Sequence, residues 1–294
     1  MRAGIVLTFV LLAAAACGGS DEGGSGEHVI AAFYPIAYAA ERLSPGAEVE
    51  NLTPAGAEPH DLELSPREVE DIAAADVVLY FEGFMPALDD AVDDHEGAVD
   101  LLAGLQLLPA AEAHAHGDES GEEQTEEAER DPHVWLDPLR YAAIARKIGV
   151  ALEEPGAAGR LTAGLRALDR EYRSGLATCE RRQIVTSHAA FGYLADAYDL
   201  EQTPLTGVSP EAEPSARAIE ELVEEVREEG ATTVFFETLV SPRLAETVAR
   251  EAGAEVAVLN PLEGLTEDEI EDGADYFSIM RENLAALRKA LGCK

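Results

Sequence analysis

The sequence predicts an α/β protein made of two β/α lobes with mainly parallel sheets, joined by one long helix. Three observations predict it. Short β-prone runs alternate with amphipathic runs through both halves of the chain, the pattern of parallel sheets covered by helices on both faces. At 294 residues the chain is long enough for two cores. Between the halves, 156–179 carries Leu161, Leu165, Leu168, Tyr172 and Leu176 at helical spacing, a candidate connector between lobes. The organisation that follows is an N-terminal lobe over 28–155, a linker helix over 156–179 and a C-terminal lobe over 180–294.

Met1 and Arg2 lead into an apolar run too short to span a bilayer, ending Ala14-Ala15-Ala16-Cys17-Gly18-Gly19. This is the shape of an export signal over 1–17. It resembles a bacterial lipoprotein signal, in which Cys17 becomes the lipidated first residue; ordinary cleavage near Ala16 is the alternative. Residues 18–27, rich in Gly, Ser and acid, read as a flexible tether.

In the first lobe, 28–33 reads as a strand passing into a helix over 36–43, and 48–52 as a weaker strand. A Pro/Gly-rich loop over 53–61 carries His60, and Ser65-Pro66-Arg67-Glu68 is a capping box with proline at the first helical position. Strand 76–81, helix 85–92 and strand 98–102 follow. Residues 111–130 break the pattern: His114-Ala115-His116 and a run of acids offer almost nothing to bury, so an acidic mobile loop is expected there. Next comes Asp131-Pro132-His133-Val134-Trp135-Leu136-Asp137-Pro138. Proline on both sides fixes the backbone and turns the preceding residue away from helix, which presents His133 on a rigid loop. A helix over 138–152 precedes the linker. The second lobe repeats the order: strand 183–187 ending on His188, helix 189–198, strand 204–208, acidic helix 215–229, strand 232–237, a helix from Ser241 to Gly253, strand 255–259 and a helix over 276–291. Asn260-Pro261-Leu262-Glu263-Gly264 leaves the last strand.

The formal charge of -37 excludes nucleic acid as a partner, since that surface repels phosphate and clustered Lys and Arg are absent. Attraction of cations is a milder inference, because long-range fields are screened within about 10 Å at ordinary salt. No internal apolar run reaches membrane-span length. Beyond Cys17 two cysteines remain, Cys179 and Cys293; in an exported protein such a pair reads as a disulfide, here tying the C-terminus to the end of the central helix.

His60, His188 and Glu263 each lie just past a predicted strand, where ligands of open α/β sheets bind. His60 and His133 belong to the first lobe, His188 and Glu263 to the second, so a site built from them lies between lobes. Three imidazoles and a carboxylate form a four-coordinate set suited to zinc, with manganese, iron and nickel harder to exclude. Their wide separation matches no local zinc-finger pattern, so the set depends on tertiary convergence. Glu58 and Glu237 could orient ligating imidazoles by accepting their hydrogen bonds, or be solvated loop carboxylates. The pair His114 and His116 could hold a borderline metal loosely. Trp135 reads as packing under the His133 loop.

Pro54 to Asp61, Asp131 to Pro138, Thr186 to Leu194 and Asn260 to Gly264 resemble, in the same order, the signatures of the metal-binding subunits of bacterial zinc and manganese ABC importers. The resemblance covers nearly all of the chain after the signal. It implies two lobes joined by a rigid backbone helix, a metal in the interlobe cleft, and delivery to a membrane permease by a monomer lipid-anchored at the outer face of the cell membrane, or periplasmic. His60, His133 and His188 match the family's histidine ligands. Many members have Asp where this chain has Asn260; those with the Asn-Pro-Leu-Glu form resemble zinc binders that use the glutamate, which points to Glu263. The third histidine and the His114/His116 loop, as a capture loop, favour Zn(II) over Mn(II) as the transported ligand. The rival readings are a metallohydrolase using Glu237 as base and a surface adhesin. No His-Glu-x-x-His, Gly-x-Ser-x-Gly or phosphate-loop motif supports an enzyme.

Overall fold

The computed structural model describes residues 26–110, 130–210 and 215–294. The expected signal with Cys17, and the pair His114 and His116, lie outside them. The described part of the chain holds two four-stranded sheets, and every strand pair within them is parallel. In chain order the first half is β1 (His28–Ala31), α1 (Tyr34–Leu43), β2 (Glu48–Asn51), α2 (Pro66–Ala74), β3 (Val77–Tyr80), α3 (Pro86–Val92) and β4 (Ala98–Asp100). A 3-10 turn over Val134–Leu136 leads to α4 (Pro138–Ala151) and α5 (Ala158–Gly175). The second half is β5 (Gln183–Thr186), α6 (Gly192–Tyr198), β6 (Glu201–Pro204), α7 (Ala216–Glu228), β7 (Thr233–Phe236), α8 (Arg243–Ala252), β8 (Glu255–Val258), α9 (Glu267–Glu271) and α10 (Tyr276–Leu291). The sheet orders are β2-β1-β3-β4 and β6-β5-β7-β8. The two halves are therefore the same unit used twice, each with a topological switch beside its first strand, where a crevice opens at the strand C-termini.

Local chemistry explains the element ends. Ser65 and Glu68 exchange bonds as a capping box with Pro66 inside the first turn of α2. Asp137 caps α4 by accepting from Leu139 N–H at 2.8 Å, and Asp275 with Ser278 caps α10. The central strands β1, β3 and β5 need no such polar help; they are held by burial of Val29, Ile30, Val78, Leu79, Ile184 and Val185. Helix α5 buries Leu161, Leu165, Leu168 and Tyr172, the row expected of the connector, and packs on α4, α1 and α10. The Cys179–Cys293 disulfide closes the chain just beyond α5 onto the end of α10.

Two expectations are corrected. The strand expected over 204–208 sits at Glu201–Pro204. Glu201 pairs Gln183 and Pro204 pairs Thr186, so the proline occupies the last rung of an edge strand, where its missing N–H costs least. Leu205, within the expected range, is buried in the smaller core just past the strand. Helix α9 was not expected; a Thr266/Glu269 capping box opens it.

One apolar core runs from the first sheet through α4, α5 and α10 into the second half, while a smaller one lies under α7 and α8. Beneath the crevice Phe33 stands at the centre of an aromatic cluster, with ring centroids 4.5 Å from Phe84, 4.8 Å from Trp135 and 5.4 Å from Phe81. Each such ring contributes about 1.5–3 kcal/mol through burial alone. Among the described residues no helix is long and apolar enough to cross a membrane.

Candidate metal centre

All four side chains singled out in the sequence follow the C-terminal end of a strand. His60 is in the loop after β2, His133 follows β4 and the acidic segment, His188 follows β5, and Glu263 follows β8. The structure brings them together: one ligand atom from each lies within 4.8 Å of the others. The Glu263 carboxylate is the hub. Its Oε1 is 3.0 Å from His133 Nε2, 3.2 Å from His188 Nε2 and 3.6 Å from His60 Nε2. A tetrahedron with bonds of about 2.0–2.1 Å has edges of about 3.3 Å, which these three distances bracket. His133, His188 and Glu263 are fully buried, and the His60 side chain is 9% exposed.

The rings are aimed by what holds their other nitrogen. His133 Nδ1 is 2.7 Å from Asp131 Oδ1, and His188 Nδ1 is 2.8 Å from Glu237 Oε1. A carboxylate can only accept, so Nδ1 carries the proton in both and Nε2 faces the centre. Asp131 Oδ1 also accepts the His133 backbone N–H at 2.9 Å, and Ser187 Oγ donates to Glu237 Oε1 at 2.7 Å. Of the two readings open for Glu237, the geometry has its carboxylate buried and against the His188 ring. Glu58 does something else: its Oε1 accepts the His60 backbone N–H at 3.1 Å, and the His60 ring rests on Phe84, centroids 4.3 Å apart.

The Glu263 loop is built for its task. Asn260 uses its side chain within the loop, donating to Glu269 Oε1 at 2.9 Å and to Thr238 Oγ1, and accepting Leu262 N–H at 2.7 Å. Leu262 is held at φ +59, a left-handed backbone that costs a branched residue of order 1–3 kcal/mol and is kept where surroundings over-determine it. Trp135 Nε1 donates to Pro261 O at 2.7 Å, and Tyr276 OH donates back to Trp135 O at 2.6 Å. Trp135 therefore does more than pack: it ties the His133 loop to the Glu263 loop.

Buried groups of opposite charge set the electrostatics of the centre. Burial pulls the His133 pKa down, but hydrogen bonds to Asp131 and Glu263 outweigh it and the net shift is upward. Burial likewise opposes protonation of His188, yet the charges of Glu237 and Glu263 carry it well above the ordinary histidine value. Burial would raise Glu263, but the His188 charge and hydrogen bonds from His133 and His188 hold it well below the carboxylate range. Glu58 is pushed up to about 9 by burial, with the Glu263 charge adding to it. His60 Nε2 and the Oε2 atoms of Glu58, Glu237 and Glu263 are buried with no hydrogen-bond partner in the protein. Buried polar atoms left unpaired cost about 1–3 kcal/mol each, and a cation is what this donor set would satisfy.

Two contributors were missed in the sequence. Asp131 carries the same signal as Glu58, a carboxylate two residues ahead of the histidine in an acid-Pro-His tripeptide. Glu269, which steadies Asn260, sits in a Thr-x-x-Glu capping pattern that marks α9. Beside the centre a cleft bordered by Asp61, Glu82, Phe84, Asp100 and Arg130 reaches His60. Arg130 pairs with Pro109 in an antiparallel bridge, so the two ends of the acidic segment meet at this cleft.

Comparison with known proteins places the whole arrangement. The chain is 36% identical to the zinc-binding lipoprotein AdcA of Streptococcus pneumoniae (strain TIGR4) over 290 residues, covering 93% of this chain but 58% of that protein. It is 32% identical to the high-affinity zinc uptake system protein ZnuA of Bacillus subtilis (strain 168), covering 97% of this chain and 96% of the relative. The crystal structure of the Zn(II)-bound ZnuA-like domain of the S. pneumoniae AdcA matches with a TM-score of 0.74 at 33% identity, over 90% of this chain and 99% of that one. The family model described as zinc-uptake complex component A, periplasmic, matches residues 29–290, a span that takes in both sheets and all four convergent side chains, and the chain belongs to that family.

Proposed function

We propose that this chain captures Zn(II) between its two lobes, with His60, His133, His188 and Glu263 as ligands, and delivers it to the membrane permease of an ABC importer from outside the cytoplasm. The observation that carries this reading is the convergence of three Nε2 atoms on one buried carboxylate oxygen, with two of the rings fixed by carboxylates behind them. An N3O set of this kind suits zinc better than manganese, which favours more oxygen and higher coordination. The names of the relatives support the same ion and, through the lipoprotein among them, anchoring by a lipid; Cys17 is the residue that would carry it. The reading is of a binding component and not of an enzyme, because Glu263 closes the fourth position that a hydrolytic water would need. The lobe boundaries at 28–155 and 180–294, with α5 as a rigid backbone between them, belong to the same proposal.

Isothermal titration of the metal-stripped chain with zinc, then manganese, tests it. One tight site that prefers zinc, abolished in His133→Ala and weakened in Glu263→Ala, is the expected result. A chain that binds neither ion tightly, or binds equally well without His133, overturns it.

A further inference from the structure

Three carboxylates at the centre share one habit. Glu58 uses Oε1 to accept the His60 backbone N–H, Glu237 uses Oε1 for Ser187 and His188, and Glu263 uses Oε1 to face the three imidazoles. In each of them Oε2 is buried and has no partner in the protein. One oxygen from each of the three lies within 4.8 Å of the others. Glu237 and Glu263 are 1% and 0% exposed, so solvent cannot screen their repulsion.

We propose that Glu58, Glu237 and Glu263 form a second cation position, selective for a hard divalent ion, joined to the imidazole-lined position through the Glu263 carboxylate. The inference rests on the reading of the first position as a metal site. All three donors are carboxylate oxygens, the chemistry of Mn(II), Mg(II) or Ca(II) rather than of zinc. Their spread fits: oxygens on opposite sides of such an ion stand about 4.2–5 Å apart for bonds of about 2.1–2.5 Å. A carboxylate bridging two ions holds them about 3.5–4 Å apart, which is the arrangement Glu263 offers with Oε1 toward the imidazoles and Oε2 free. Glu237 would then hold His188 with one oxygen and the second ion with the other.

The test uses the full mature chain carrying His114→Ala and His116→Ala, which removes the His-x-His pair that could take a weakly held ion. It is loaded with one equivalent of zinc and titrated with Mn(II) at about 0.15 M salt, where diffuse binding to the acidic surface is screened, and free Mn(II) is counted by its paramagnetic resonance signal. The expected result is one further equivalent of Mn(II) bound, lost in Glu58→Gln, whose amide oxygen still accepts the His60 N–H. Retention of the zinc equivalent by that variant shows that it is folded and that the first position is intact. No Mn(II) uptake by the zinc-loaded parent, or the same uptake in Glu58→Gln, overturns the second position and leaves the first standing. A parent chain that retains no zinc overturns both.

Discussion

Lowering the pH should loosen zinc with a slope that the two buried histidines set. Both His133 and His188 are shifted upward from 6.5, so below pH 6.5 each Nε2 of the metal-free protein carries a proton directed at Glu263 Oε1. A metal can bind only by expelling those protons. Each expelled proton makes the apparent affinity fall tenfold per pH unit, about 1.4 kcal/mol. The pair therefore gives about 100-fold per unit between pH 6.5 and 5.5, about 2.7 kcal/mol. Glu263 adds nothing in this interval, since its carboxyl is held well below 4.5 and is already ionised.

Titration calorimetry in two buffers of different ionisation heat measures the proton count directly, and about two protons released per zinc is the expected value. Melting curves give the sign independently. For the metal-free protein, the raised histidines contribute stability that is fully present below pH 6.5 and lost as pH rises through their folded-state values, whereas the depressed Glu263 contributes above 4.5 and loses that contribution as pH falls through its own. Metal-free stability should thus decline as pH climbs past 6.5 while the gain conferred by zinc grows. Proton release near zero, or a zinc-induced gain in melting temperature that is flat from pH 5.5 to 7.5, would refute the placement of these two rings at the metal.

Replacing Asp131 by Asn keeps an acceptor for His133 Nδ1 but removes the charge; zinc affinity should fall about 10–100-fold in a competition titration with a chelator, with the fold retained. His60 is the proposed ligand without a carboxylate behind its ring and borders the cleft, so His60→Ala should weaken zinc less than His133→Ala by about tenfold or more in the same assay. Trp135→Phe leaves the Pro261 carbonyl without its donor, which should cost about 1–3 kcal/mol of stability in denaturant titrations and speed zinc dissociation in stopped flow. The double change Cys179→Ser and Cys293→Ser removes a closure spanning 114 residues and should lower stability by about 2–4 kcal/mol while leaving zinc affinity unchanged, because neither cysteine belongs to the convergent set.

Much of the fold could be read from the chain because its elements are locally consistent. Val29, Ile30, Val78 and Leu79 are buried on both faces of a parallel sheet and so appear as unbroken apolar runs. The α5 row Leu161, Leu165, Leu168 and Tyr172 keeps one helical face. β6 escaped for the opposite reason. An edge strand needs little apolar content, and Glu201-Gln202-Thr203 forms rungs with β5 through its backbone, which leaves no hydrophobic trace. The short α9 has no buried residue at all; its capping box was its one signal.

The centre was legible as residue types at loop positions and illegible as orientation. Glu58-Pro59-His60 and Asp131-Pro132-His133 follow one grammar, and in both the acid accepts the histidine backbone N–H, at 3.1 and 2.9 Å. The difference is a methylene. The shorter Asp131 reaches the ring as well, at Nδ1, and fixes His133 against Glu263. The longer Glu58 stops at the amide and leaves Oε2 buried and unpaired beside two other carboxylates. One tripeptide thus produces a fixed imidazole at one position and a more loosely held one with an unsatisfied carboxyl oxygen at the other. The rigid histidine lies deep, and the looser one borders the cleft through which an ion would arrive. A receptor that must hold zinc and also give it up needs both, since ligands fixed at every corner would slow release and loose ones would forfeit affinity. On this argument the route in and out of the centre runs past His60, and the Glu58 carboxyl, held neutral by burial at ordinary pH, is the group that an arriving ion meets beside it.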